Sequence, residues 1–153
     1  MSDVKRALAC DKNLAGANLR YAHLTRAYLV RVDLKGANLT NANLMGAFIA
    51  KSDLEGANLT NAELRGANLT GANLSSADLT GADLREVDLT CANLTGAKLY
   101  GAKLTGATLS DADLADVNLT GATLTDVTYA NTTCPDGTNS DAHSGTCTGH
   151  LGL

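Results

Sequence analysis

Side chains able to do chemistry are few. The chain holds three histidines, His23, His143 and His150, and four cysteines, Cys10, Cys91, Cys134 and Cys147. No Ser, His and Asp arrangement and no general acid and base pair can be assembled from their spacing, so nucleophilic or proton-transfer catalysis has no visible machinery. Cys134, His143, Cys147 and His150 lie near enough in sequence to be weighed as a zinc set, but they lack the close paired spacing of common zinc modules. Two free thiols in a reducing cytosol are another reading of Cys134 and Cys147. The acidic stretch with Asp136, Asn139 and Asp141 is a poor match to a calcium loop and reads as solvated turn. These residues argue against an enzyme, and no metal or cofactor is expected.

The elements that carry them must come from a chain of 153 residues, a length that fits one compact domain. Its 44% hydrophobic content is almost all Leu and Ala, with no Trp, one Phe and four Tyr. Such a core is built by repeating small units. The formal charge is only −4, and acidic and basic residues read as mixed along the chain. That mixture predicts no basic stripe for nucleic acid and no polybasic membrane patch. No apolar run approaches the roughly 18 residues of a membrane span. The start MSDVKRALAC is too polar for a signal peptide, so the chain is expected to be cytoplasmic unless a targeting segment lies upstream.

Internal periodicity organises nearly everything else. Every fifth residue from Leu14 to Leu124 is Leu, 22 times in 23 positions, with Ile49 as the exception. Two residues earlier, from Ala17 to Ala122, 18 of 22 positions are Ala, the others being Val32, Ser52, Val87 and Val117. The unit is Ala-(Asn/Asp)-Leu-x-x. A period of five would rotate the Leu by about 140° per step in a helix and would alternate faces in a continuous strand, so the chain must turn once per unit. Ala and Leu, two apart, point inward from an extended piece while the Asn or Asp between them points out. The remaining two residues make the corner, where Gly, Asn, Asp, Ser and Thr recur for turn reasons. With corners of about 90°, four units close a coil that stacks on the last at roughly 4.8 Å. Periodicity by itself leaves handedness and a three-unit coil open.

This run resembles the pentapeptide-repeat family. The resemblance implies an all-β, right-handed quadrilateral β-helix, a solid solenoid with a filled interior and no concave pocket for chemistry. Residues 11–130 form about six coils on this reading, residues 1–10 an N-terminal helical cap and residues 131–153 a C-terminal loop cap, all one domain. In the cap, Ser2 or Asp3 is expected to N-cap a short α-helix whose Val4, Ala7 and Leu8 lie over the first Leu layer. The segment from Cys134 through Pro135, Asp136 and Gly137 to Cys147 resembles the tail of exported or thylakoid-lumenal members, including cyanobacterial ones, in which the two cysteines are paired. That resemblance implies a Cys134–Cys147 disulfide and an exported location, thylakoid lumen or periplasm, if an upstream signal was removed. Cys10 and Cys91 are expected to be free thiols, since four coils separate them by about 19 Å, beyond disulfide reach.

Residues 20 apart stack on neighbouring coils, so surface columns can be listed from the sequence. Lys35 with Glu55, Asp78 with Lys98 and Asp83 with Lys103 are expected as exposed charge ladders. Arg65 and Arg85 stack as like charges. Asp33, Asp53 and Asp113 share a column that Asn73 and Asn93 interrupt. Tyr28 and Phe48, outward-facing with Val30 and Ala50 beside them, read either as an aromatic pair that stabilises the sheet or as an interaction patch of Tyr28, Phe48 and Val30. Asn58-Leu59-Thr60 matches a glycosylation sequon that the repeat generates automatically. The expected function is a non-catalytic structural or protein-interaction solenoid, a monomer with an unidentified protein partner and no nucleic acid. The alternative is a cytosolic regulator such as a DNA-mimicking gyrase-binding protein, the role implied by another branch of the same resemblance.

Overall fold

The computed structural model describes residues 2–149. The residue before each Leu forms a single parallel bridge to the residue 20 positions later, as in Asn13 to Asp33, Tyr28 to Phe48 and Asp113 to Thr133. This register places four five-residue units in each turn of the chain. The architecture is a repeat β-helix whose walls are ladders of single bridges. Coil-to-coil hydrogen bonds run along every wall, with the Leu39 N–H donating to the Asn58 carbonyl at 2.7 Å and the Asn58 N–H to the Ala37 carbonyl at 2.9 Å.

Corners follow from two local devices. Within each Leu-x-x-Ala, the Ala N–H donates to the Leu carbonyl three residues back, at 3.0 Å for Ala17 and Ala37. The residue before the Ala has positive φ at every fifth position from Gly16 to Asn131, as a type II turn requires. Gly36 adopts φ 59° without a Cβ penalty. Arg31 and Lys51 hold the same conformation, at φ 57° and 59°, where an L side chain costs about 1–2 kcal/mol. The second device belongs to the outward Asn or Asp, whose Oδ1 accepts the N–H two residues on: Thr40 to Asn38 at 3.1 Å, Thr60 to Asn58 at 3.0 Å and Thr90 to Asp88 at 3.0 Å. Such Asx turns pin the corner, and they explain why that outward position is so often Asn or Asp.

The Leu positions from Leu14 to Leu119 and the Ala positions two residues before them, from Ala17 to Val117, are buried and fill the interior. Helix α1, Asp3–Leu8, closes the first coil. Ser2 is its N-cap, accepting from the Lys5 N–H, and Ala7 is buried with Val4 packed against the core. Asp3 also accepts the Asn18 N–H at 2.8 Å, standing in for the coil that is missing below. Leu8 departs from expectation: it is 58% exposed. The helix has under two turns, and the chain leaves it through the left-handed residue Cys10, so its last side chain is carried off the core. At the other end Tyr129 takes a Leu position and Thr132 an Ala position, both buried. The tail then folds over them. Thr133 pairs with Asn139 in an antiparallel bridge, and a 3-10 turn, Ser140–His143, follows. Ala122, Leu124 and Val127 in the last coil stay only half-buried beside it.

Candidate interaction face

On one wall of the first two coils Tyr28 bridges to Phe48, with ring centroids 6.5 Å apart and planes tilted by 41°. That separation is within the range in which aromatic rings attract. The rings are nonetheless 58% and 49% exposed, so they touch each other and also face solvent. Neither ring can accept the corner N–H that an Asn or Asp would take at these positions. Val30 and Ala50 lie half-buried beside them. Tyr28, Val30 and Ala50 line a shallow depression together with Lys12, Arg31 and Lys51, whereas Phe48 stands outside its lining. Lys12 donates to the Val30 carbonyl at 2.7 Å, and its ammonium lies 5.7 Å from the centre of the Tyr28 ring, within cation–π range.

A second depression, on the neighbouring wall, is lined by Met45, Glu63, Arg65, Asp83, Arg85 and Lys103 among others. Its guanidinium groups are already neutralised. Arg65 pairs with Glu86 at 2.7 Å, and Arg85 grips Asp83 with Nε at 2.7 Å and Nη2 at 2.5 Å. The hydrogen bond from Arg85 holds the Asp83 carboxyl below its ordinary range. Lys103, bridged to Asp83 one coil on as the expected ladder has it, adds a weaker pull through its charge, because the Arg85 fork fits the carboxylate better than an ammonium one coil away. The other two ladders are present. Lys35 reaches both Glu55 at 3.1 Å and Asp53 at 3.3 Å, and its pKa is raised by those hydrogen bonds. Lys98 lies 3.9 Å from Asp78. Asn73 does not merely interrupt the acidic column, because its amide donates to Asp53 at 3.1 Å.

Charge is also divided along the solenoid axis, against the expected mixture. Residues 1–51 hold eight Lys and Arg against three acidic residues, a formal +5, whereas the remainder hold four against thirteen, a formal −9. In the fold this split makes α1 and the first two coils basic and the later coils acidic.

In the tail, Cys134 and Cys147 are buried and joined in a disulfide, with Cα atoms 5.3 Å apart. Cys10 and Cys91 are free and exposed. Among the described residues no group of three or more His, Cys, Asp or Glu is placed to hold a metal ion. His150, one of the four residues weighed for zinc, lies outside the described residues. Tyr129 places its hydroxyl in the interior without a hydrogen-bond partner among the described residues, and burial pushes its pKa up to about 12. No helix among the described residues is long and apolar enough to cross a membrane.

A filled interior inside walls of single-bridge ladders is the architecture of a repeat β-helix solenoid. The pentapeptide repeats family matches residues 13–48, 52–90 and 92–128, in eight copies, and this chain belongs to that family. Among solved structures it is similar to Rfr23, a pentapeptide repeat protein of the cyanobacterium Cyanothece 51142, at 30% identity over 82% of this chain and 91% of that one, with a TM-score of 0.52. It is also similar to HetL of the cyanobacterium Nostoc, a pentapeptide repeat protein involved in heterocyst differentiation regulation, at 35% identity over 83% and 78% of the two chains, with a TM-score of 0.33. A pentapeptide repeat protein from the Arabidopsis thaliana thylakoid lumen shares 33% identity over 69% and 63%, with a TM-score of 0.30. No curated protein matches the chain.

Proposed function

We propose that this chain is a non-catalytic protein-interaction solenoid, right-handed and four-sided, that acts as a monomer and binds a protein partner through the Tyr28, Phe48 and Val30 face. Its parts are the cap at 1–10, the β-helix at 11–130 and the tail at 131–153, working as one domain. The observation that carries this reading is the Tyr28–Phe48 pair. Two large rings stand exposed side by side at positions where the repeat otherwise prefers corner-pinning Asn or Asp. An interior packed with Leu and Ala leaves the walls as the working surface, since chemistry generally needs a concave site. An exported compartment, thylakoid lumen or periplasm, suits the Cys134–Cys147 disulfide.

The test is a Y28S/F48S variant, tagged and expressed in the native cells beside the parent chain. Both changes are on exposed side chains, so the variant is expected to keep its melting transition and to lose the proteins that co-purify with the parent. An unchanged set of partners contradicts the assignment of the face. A second reading, the cytosolic DNA-mimicking gyrase binder, draws on the formal −9 beyond residue 51. It requires a dimer and reduced Cys134 and Cys147, both of which are open to measurement.

A further inference from the structure

We propose that the depression on the first two coils takes a short acidic segment of a partner protein, with an apolar side chain over Val30 and Ala50 and carboxylates on Arg31 and Lys51. This rests on the reading that the Tyr28–Phe48 face is where the protein binds.

The lining supplies three cations and no carboxylate. Lys12 is already engaged with the Val30 carbonyl and the Tyr28 ring. Arg31 and Lys51 have no ion pair among the described residues, although they stack at the same corner of consecutive coils, about 5 Å apart by sheet spacing. Like charges stacked across a sheet repel, and a bound anion between them would relieve that repulsion. The contrast with the neighbouring wall is informative, because there Arg65 and Arg85 each hold a carboxylate of this chain.

Tyr28 and Phe48 give up the Asx turn on two bridged, consecutive coils beside the Arg31 and Lys51 corner. Departures from local preference are expected where a surface serves something other than stability.

The surroundings define the occupant's size. A polyanion such as a nucleic acid would run on to the coils that carry the formal −9, where it would be repelled. A second copy presenting the same face would set Arg31 and Lys51 against their own counterparts. A few residues of acidic chain meet the cations without either conflict.

The experiment is an anisotropy titration of the full chain with labelled peptides of about 12 residues. The probe is a glutamate peptide with two central leucines. Its controls replace Glu by Lys or Leu by Ser, and a single-stranded thymidine oligonucleotide serves as the polyanion. The account expects the Glu–Leu peptide alone to saturate, weakening at least about tenfold with R31E/K51E, with the milder R31Q/K51Q and with Y28S/F48S. Absence of saturation below about 1 mM, equal binding of the lysine peptide, or tighter binding of the oligonucleotide overturns the proposal. So does a dimer that the F48S change dissolves. Repeating the co-purification with R31Q/K51Q separates the two levels: partners lost with Y28S/F48S but kept with R31Q/K51Q sink the acidic segment and leave the face, whereas partners kept with both sink the face as well.

Discussion

The hydroxyl of Ser52 stands between two groups of the coil below, donating to the Leu29 carbonyl at 2.5 Å and accepting the Val32 N–H at 3.0 Å. In the ordinary corner those two groups bond each other, as the Ala37 N–H and Leu34 carbonyl do at 3.0 Å. Bulk at Val32 is not what opens the corner, because Val87 and Val117 close theirs on Leu84 and Leu114 at 3.3 and 3.1 Å. The Ser52 hydroxyl has inserted and taken both partners. Ser52→Ala therefore lets the corner close as it does at Val87, and is expected to cost about 0.5–1.5 kcal/mol, the net worth of a hydrogen bond. Denaturant melts check this, and a loss above about 3 kcal/mol would show that the corner stays open without the hydroxyl.

Leu69 is 1% exposed in mid-solenoid, with rigid coils above and below that cannot collapse inward. Leu69→Ala is expected to cost about 2–5 kcal/mol in the same melts. A loss below about 1 kcal/mol, the scale of a surface change, would contradict a packed interior.

Cys134 and Cys147 close a loop with a sequence separation of 13, which the chain-entropy model values at about 3 kcal/mol. Reduction should lower stability by that order. Intact mass after thiol alkylation, on protein from native cells, is expected to show label on the exposed Cys10 and Cys91 and protection at Cys134 and Cys147 until reductant is added. Label on all four without reductant would exclude an oxidising location and return the cytosolic reading to first place.

Tyr129 ties stability to alkaline pH. Its folded pKa is raised from 10.0 to about 12 by burial, so the folded state keeps a proton that the unfolded state loses in that window. Stability from this group is full below the unfolded value and falls as pH rises through the folded one, by about 2–3 kcal/mol in total. Tyr129→Phe removes the orphaned hydroxyl. It is expected to be neutral or slightly stabilising at pH 7 and to flatten the difference between melts taken on either side of the window. A variant as alkali-sensitive as the parent would place the titration elsewhere.

The unbroken Leu period exposed the coil and its inward and outward faces in the sequence, because one residue type at one spacing can pack only if the chain turns once per unit. The 20-residue register came from the resemblance, since the period alone leaves a three-unit coil open, and the bridges bear it out, as in Tyr28 to Phe48. Relations that depend on reach were hidden. Arg85 outreaches Lys103 for the Asp83 carboxylate through guanidinium geometry, and the Ser52 hydroxyl finds its two partners in the coil below. The outward Asn and Asp were assigned a direction without their corner bond. The basic character of the first coils was readable in chain order, eight Lys and Arg against three acidic residues by Lys51, and was missed because only the net charge of the whole chain was weighed. Leu8 had the right spacing for burial, but the helix is too short to use it.

The central claim is that the wall at Tyr28 and Phe48 meets the partner. A photo-crosslinking residue placed at Phe48, and in a second variant at Thr108 three coils further along the same wall, tests it in native cells. The account predicts a heteromeric adduct from position 48 and none from position 108. Adducts from position 108 alone, or only homodimers from either, would contradict it.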